Sequence, residues 1–166
     1  MRAAPSLGGG AVTSGIGQQP SARPTTAQPV AADSSGPDGA KAPRILVLDD
    51  EPSIRVFLDK ALRSFGYAVV TARSGEEAIE IARDQDFDVY LVDHQMAGAT
   101  GLDVFESVTE ARPESAARFV IMSGDLLNGA LRRFTVGHEV TLLSKPFDLA
   151  TLRSTIDSIA RRLDAD

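Results

Sequence analysis

The stretch FDVYLVDHQMAGATG, residues 87–101, decides the fold, because an apolar run in it ends at one carboxylate and a glycine-containing loop. The continuous apolar run at 89–92 predicts a strand that is buried on both faces, as strands of parallel sheets are. Asp93 follows this run directly. An acid at the carboxyl end of such a strand lies at the edge where open α/β sheets bind their ligands. The stretch therefore predicts a parallel sheet with a functional carboxylate at one edge.

The chain has two parts of different composition. Residues 1–43 hold seven of the 14 glycines and six of the nine prolines, and they offer little apolar surface to offset the entropy of ordering. We predict a disordered tail over residues 1–43 and one folded domain over residues 44–163, a usual size for a single core. The tail has three basic and two acidic side chains, a net charge of +1, so the remaining residues carry −7 of the chain's net charge of −6.

Composition and charge exclude several classes of protein. An acidic domain without a basic stripe disfavours direct binding of nucleic acid. No apolar run approaches the roughly 18 to 20 residues that membrane insertion requires, and the amino terminus lacks the compact apolar region of a secretory signal. The sequence has no cysteine, which excludes disulfides, thiolate metal sites and thiol nucleophiles. A cytoplasmic location is compatible with this, and we expect one.

Apolar runs and amphipathic segments alternate along the predicted domain. The runs predict strands at 44–48, 67–72, 86–92, 118–122 and 140–143. Apolar spacings of three and four predict helices from Pro52, after Ser74, around Leu102, over about Leu126–Phe134 and after Asp148. This alternation requires parallel strands with right-handed crossovers and helices on both faces. We therefore predict an α/β, flavodoxin-like, doubly wound (βα)5 sheet with strand order 2-1-3-4-5.

Two predicted helices start with recognisable cap residues, and a third contains residues of low helix propensity. Ser74 and Glu77 have the spacing of a capping box, in which each side chain bonds the other's backbone amide. Asp148 is in position to cap the last helix. Asn128 and Gly129 lower the helix propensity of the fourth helix, so its bounds are the least well specified by the sequence.

Polar side chains follow four of the five predicted strands. Asp49 and Asp50 end the first strand, Asp93 ends the third, Ser123 follows the fourth and Lys145 follows the fifth. Neighbouring strands lie about 4.8 Å apart, so we expect these groups to share one edge of the sheet. Two carboxylates about 4 Å apart repel by roughly 4 kcal/mol at an effective dielectric of 20. The cluster must therefore protonate, recruit Lys145 or bind a cation.

Magnesium chemistry fits this set of residues. Three carboxylates without histidine or cysteine suit Mg²⁺, which prefers carboxylate and phosphate oxygens and keeps several waters. Beside the metal, Asp93 can act as a nucleophile toward phosphorus and form an acyl phosphate. Mg²⁺ and Lys145 would neutralise charge on the transferring oxygens. Ser123 would donate a hydrogen bond to the new phosphoryl oxygen.

Over about residues 44–163 the sequence resembles the receiver domain of two-component response regulators. The resemblance is carried by the acidic pair in LVLDDEPSIR, Asp93 in LVDHQMAGATGLDVF, Ser123 in IMSGD and Lys145 in SKPF, in that order. It implies that Asp93 is phosphorylated by a histidine kinase or a histidine phosphotransfer protein, with the receiver catalysing the transfer. Self-phosphotransfer and autodephosphorylation would then be its only chemistry, and it would not be an enzyme with an external substrate.

The resemblance also implies roles for the neighbours of Asp93. Mg²⁺ would be bound by Asp50, Asp93 and the main-chain carbonyl of Gln95, with Asp49 acting mainly through water. The peptide bond between Lys145 and Pro146 would be cis, which is plausible only because proline follows.

Two positions depart from the family's pattern. Ala97 stands where such domains usually have proline after the phosphoacceptor strand, so the loop there is less constrained. Leu142, three residues before Lys145, stands where they usually have an aromatic residue that swings inward on activation. Phosphoryl transfer should survive both changes, but the inward movement of an aromatic side chain that usually accompanies activation is in question.

Two alternatives stay open at this point. A Mg²⁺-dependent phosphatase of the haloacid-dehalogenase type also uses an aspartyl nucleophile at a strand end, although its two acids lie two residues apart, unlike Asp49 and Asp50. The second alternative is a receiver that binds its partners without being phosphorylated, and Leu142 is the residue that suggests it. The leading hypothesis is a phosphoacceptor switch, a monomer or transient dimer. Because the sequence ends at Asp166, we expect it to act through partner binding or onward phosphotransfer.

Overall fold

Ten regular elements alternate between strand and helix along the chain. The computed structural model describes residues 41–125, 127 and 129–163, so the predicted tail, 1–43, lies almost wholly outside the described residues. The elements are β1 (Arg44–Leu48), α1 (Pro52–Ser64), β2 (Ala68–Ala72), α2 (Gly75–Asp84), β3 (Val89–Asp93), α3 (Gly101–Ala111), β4 (Phe119–Ser123), α4 (Gly129–Gly137), β5 (Thr141–Ser144) and α5 (Leu149–Leu163). A short 3₁₀ helix, Pro113–Arg118, precedes β4.

The five strands form one parallel sheet in the order β2-β1-β3-β4-β5, which confirms the predicted fold class. β1 and β3 lie side by side, and Leu48 pairs with Val92 at their carboxyl ends. Asp93 pairs with Met122, and Ser123 pairs with Ser144. Because these pairs follow one another across the sheet, the residues after β1, β3, β4 and β5 lie along one edge.

Each face of the sheet is covered by helices that bury an apolar stripe. The side chains of β1 and β3 alternate between the faces. On one face, Ile45 and Leu91 pack with apolar residues of α1 and α5; on the other, Leu46 and Tyr90 pack with those of α2, α3 and α4. All five residues of β3 are buried, as the apolar run of this strand predicts.

The start of β3 differs from the prediction by three residues, and the other strands begin within one residue of it. β3 begins at Val89 rather than Asp86, and before it the Asp88 carboxylate accepts a hydrogen bond from the Arg44 amide at 2.6 Å. α4 spans Gly129–Gly137 and ends three residues beyond the predicted Phe134, while Leu126 and Asn128, in the predicted first turn, lie outside the described residues. The Asp125 carboxylate accepts a hydrogen bond from the Leu127 amide at 3.1 Å, which stabilises a turn ahead of the helix.

The helix caps are also partly different from the prediction. The Ser74 hydroxyl accepts from the Glu77 amide, but the Glu77 carboxylate accepts from the Arg73 amide at 2.8 Å, so the predicted box is not reciprocal. A reciprocal capping box forms instead between Thr100 and Asp103 at the start of α3. The Asp148 carboxylate accepts from the Thr151 amide at 2.6 Å and caps α5 as predicted.

Gly101, the first residue of α3, packs against the backbone of Asp93. A Cβ placed on Gly101 would lie 2.4 Å from the Asp93 carbonyl oxygen. We therefore expect Gly101→Ala to lower the free energy of unfolding by about 1 to 3 kcal/mol, measured by urea denaturation, because the helix must move away from β3. Gly137→Ala is the control: Gly137 also lies in a helix, but its added Cβ meets no atom within 4 Å. Equal stability of the two variants would contradict the prediction.

No helix in the described part of the chain is both long and apolar enough to span a membrane.

Candidate functional site

Three carboxylates meet at the carboxyl ends of β1 and β3. Oxygen atoms of Asp49, Asp50 and Asp93 all lie within 4.8 Å of one another. Their exposure differs: Asp49 is fully buried, Asp93 is 7% exposed, and Asp50 is open to solvent. The structure thus brings together the three acids that the sequence predicts to share one edge of the sheet, and it leaves one of them accessible.

Lys145 supplies the positive charge beside this cluster. Its Nζ lies 3.0 Å from Asp93 Oδ2 and 3.3 Å from Asp49 Oδ2. The Lys145 amide donates to the Ser123 carbonyl at 2.8 Å, which continues the pairing of β4 with β5 beyond the last strand residue. The peptide bond between Lys145 and Pro146 is cis, as the resemblance implies. The ammonium therefore bridges the two least exposed carboxylates.

The pKa values of Asp49 and Lys145 are both raised in this cluster. Burial raises the pKa of Asp49, and the Glu51 amide and Lys145 offset this only in part. Burial lowers the pKa of Lys145, but the hydrogen bond and charge of Asp93, with those of Asp49, outweigh it and raise the pKa overall. Lys145 is therefore protonated at neutral pH. One ammonium faces three carboxyl groups, an arrangement that favours binding of a further cation.

Arg55 approaches Asp49 without acting as its counter-charge. The guanidinium donates to the main-chain carbonyl of Asp49 at 2.8 Å. Its contact therefore fixes the backbone where β1 leaves the sheet. Sequence reasoning missed this residue. The available signal was a basic side chain near the start of a helix, where the helix dipole disfavours positive charge.

The loop between β3 and α3 closes one side of the cluster. The Gln95 amide donates to Asp93 Oδ1 at 3.3 Å, and Gln95 is exposed. The Ala97 amide donates to Asp50 Oδ2 at 3.4 Å. A proline at position 97 has no N–H and could not make this second bond. The departure from the family pattern therefore adds a contact between the loop and Asp50.

Ser123 and Leu142 lie beside the cluster on the β4 and β5 side. Ser123 is buried, and its hydroxyl accepts from the Asp125 amide at 3.1 Å, within its own loop. Leu142 is half-buried and packs against the core cluster formed with α2, α3 and α4. Position 142 therefore carries an aliphatic side chain that already contacts the core, where the family pattern has an aromatic one.

The residues present fit Mg²⁺. The donors are all carboxylate oxygens, which hard divalent cations prefer. The excess negative charge and the solvent-open Asp50 satisfy two further needs of Mg²⁺, charge compensation and room for its retained waters. Besides Mg²⁺, this arrangement can hold an anionic group that is being transferred, close to both a nucleophilic carboxylate and an ammonium.

A sequence model of the response regulator receiver domain matches residues 45–157. This chain belongs to the response regulator receiver family. The receiver is 34% identical over 130 residues to the transcriptional activator protein PfeR of Pseudomonas aeruginosa, covering 75% of this chain and 40% of the relative. It is 36% identical over 124 residues to the probable transcriptional regulator ycf27 of Porphyra purpurea, covering 73% of this chain and 49% of the relative.

Solved structures agree with the family match. The receiver superimposes on the chemotaxis protein CheY4 of Vibrio cholerae with a TM-score of 0.66 at 27% identity, over 72% of this chain and 99% of that one. The chain spans less than half the length of the two curated relatives named above. Receiver domains are signalling switches rather than enzymes with an external substrate, so the match favours this class over the haloacid-dehalogenase-type phosphatases.

Proposed function

We propose that this receiver is a phosphoacceptor switch and that Asp93 takes a phosphoryl group from a histidine kinase or a histidine phosphotransfer protein. The observation that carries the proposal is the position of Lys145 Nζ, 3.0 Å from Asp93 and 3.3 Å from Asp49 within the acidic cluster. An Asp93 carboxylate oxygen attacks phosphorus, and the bond from phosphorus to the donor's imidazole nitrogen breaks. Lys145 then compensates charge on the phosphoryl oxygens.

Mg²⁺ is part of the same proposal. Asp50, Asp93 and the main-chain carbonyl of Gln95 would hold the ion, and Asp49 would act on it through water. When bound, Mg²⁺ supplies charge neutralisation for the transferring oxygens. The chain's own residues supply the nucleophile and position the ammonium. Asp93 is the nucleophile, and the buried Asp49 keeps Lys145 protonated and in place.

The response to phosphorylation is proposed to arise at Ser123. A phosphoryl group adds about −1.5 to −2 charges at neutral pH and three strong acceptor oxygens. To donate to one of them, the Ser123 hydroxyl must redirect the hydrogen that it donates to the Asp125 carbonyl at 3.5 Å. Phosphorylation would therefore favour a second arrangement of the loop after β4. Output is by partner binding or onward phosphotransfer, and the cytoplasmic location expected from the sequence belongs to the same proposal.

Incubation with acetyl phosphate and Mg²⁺, followed by intact-mass measurement, tests the proposed function. We expect one adduct of about 80 Da, the mass of a single phosphoryl group. The same adduct should form faster from a phosphorylated histidine kinase, because the imidazole is held in position for transfer. Failure of the wild-type protein to take up a phosphoryl group from either donor would contradict the proposal.

Replacement of Lys145 by alanine should slow phosphorylation of Asp93 by about a hundredfold, because a preorganised positive group at the transferring oxygens is lost. The rate of adduct formation at saturating Mg²⁺ measures this. Lys60→Ala, which removes an exposed lysine from α1, is the matched control and should react like wild type. A Lys145→Ala rate within about twofold of wild type would show that the ammonium has no part in the transfer.

A further inference from the structure

The first turn of α2 lies directly against the loop between β3 and α3. A Cβ placed on Gly75 would lie 2.4 Å from the carbonyl oxygen and 2.6 Å from the Cβ of Ala99. Both distances are shorter than any ordinary contact, so only glycine permits this approach. The start of a helix that carries none of the predicted site residues thus fixes the position of the loop that follows the phosphoacceptor.

Glu76, the next residue of α2, extends over the same loop. A Cβ placed on Gly98 would lie 3.5 Å from Glu76 Oε1, and Gly98 has a φ of +84°. The pKa of Glu76 lies below its usual range because its own backbone amide, the Ser74 hydroxyl and the Ala99 amide all stabilise the carboxylate. Glu76 therefore contacts the loop at Gly98 as an ionised acceptor.

The loop is held on its other side by the acidic cluster. The Ala97 amide donates to Asp50, and the Gln95 amide donates to Asp93. Residues 97–99 thus lie between Asp50 and the start of α2. Without a proline ring at position 97 the loop has more conformations to lose on ordering, so an external restraint has more effect on its position.

We propose that Glu76 is a positioning residue that holds the loop over 97–99 in the conformation in which Asp50 and Gln95 can share one cation. This inference rests on the proposed function, because it assigns Glu76 a role in preparing that site. Glu76 itself does not touch the cation or the phosphoryl group. Its effect passes through the loop backbone, so it should alter Mg²⁺ affinity rather than the rate at saturating Mg²⁺.

Three variants separate this role from a general effect on stability or charge. Glu76→Ala removes the acceptor, Glu76→Gln keeps an acceptor without charge, and Glu80→Ala removes an exposed acid from the same helix as a control. The first readout is hydrogen exchange of the Gly98 and Ala99 amides in the metal-free protein, which reports local opening. The second is Mg²⁺ affinity by titration, and the third is the phosphorylation rate at saturating Mg²⁺.

We expect Glu76→Ala to speed exchange at residues 98–99 and to weaken Mg²⁺ binding, each by about threefold to tenfold, the usual range for one hydrogen bond. Glu76→Gln and Glu80→Ala should stay within about twofold of wild type. Unchanged exchange in Glu76→Ala would overturn the inference. Equal weakening in Glu76→Gln and Glu76→Ala would also overturn it, because the effect would then be that of charge. If wild type binds no Mg²⁺, the proposed function fails, and exchange alone decides the role of Glu76.

Discussion

Asp93→Asn is expected to abolish uptake of a phosphoryl group from acetyl phosphate or from a phosphorylated histidine kinase. An amide oxygen is a far weaker nucleophile than a carboxylate, and the change also removes one carboxylate from the cation cluster. Because Asp93 is nearly buried at the end of a central strand and lies 3.0 Å from Lys145, no other carboxylate among the described residues holds an equivalent position relative to both β3 and the ammonium. We expect a loss of more than about a thousandfold in adduct formation, down to the detection limit.

Asp84→Asn is the matched control for this experiment. Asp84 ends α2 and is exposed, so its amide form should be phosphorylated at the wild-type rate. Asp93→Asn should stay folded because asparagine is nearly isosteric and one of three mutually repelling carboxylates becomes neutral. Far-ultraviolet circular dichroism verifies this. An adduct of equal size and rate on Asp93→Asn would mean that another residue is the acceptor.

Removal of Mg²⁺ is expected to have the second-largest effect. A divalent ion at a transferring phosphoryl group contributes several kcal/mol, and each 1.36 kcal/mol is a factor of ten in rate. We therefore expect phosphorylation in the presence of a chelator to be slower by about a thousandfold. Lys145 alone cannot compensate, because it already faces the carboxylates of Asp49 and Asp93.

Addition of Mg²⁺ should also stabilise the folded protein. Binding to the native state alone raises stability by about 2.7 kcal/mol at a free concentration one hundred times Kd, and thermal unfolding measures this as an increase in Tm. Asp50→Asn should reduce both the increase in Tm and the phosphorylation rate, whereas Asp84→Asn should change neither. Phosphorylation that proceeds at the same rate with chelator and with Mg²⁺ would contradict the assignment of the cation site.

The fold was predictable because its signals are local and agree with one another. A continuous apolar run that ends at Asp93 requires burial on both faces, and alternation with amphipathic segments leaves few topologies other than a doubly wound sheet. The extent of α4 was less predictable, and this helix ends three residues beyond the predicted Phe134. The turn that precedes it depends on a hydrogen bond from the Leu127 amide to the Asp125 side chain, which propensity does not register.

The acidic site was predictable in composition but only partly in geometry. Strand-end positions of Asp49, Asp50, Asp93 and Lys145 follow from the order of the strands, and the structure brings these groups together. The approach of Gly75 to Ala99 joins segments that are distant in sequence, and no pattern at either one indicates it.

The hydroxyl partner of Ser123 also depends on loop conformation. In this structure the hydroxyl bonds its own loop through the Asp125 amide, whereas the sequence suggested only a role toward the phosphoryl group. Loop contacts of this kind follow from backbone conformation rather than from residue type, which is why strand-end chemistry could be predicted and the loops around it could not.

Locating the acceptor within the sequence tests the central claim most directly. Wild-type protein is phosphorylated with acetyl phosphate and Mg²⁺, the acyl phosphate is trapped by reduction with borohydride, and the peptides are sequenced by tandem mass spectrometry. We predict a single modified residue, Asp93, labelled only when Mg²⁺ is present. Labelling at any other residue, or labelling of Asp93 that persists undiminished in chelator, would contradict the account.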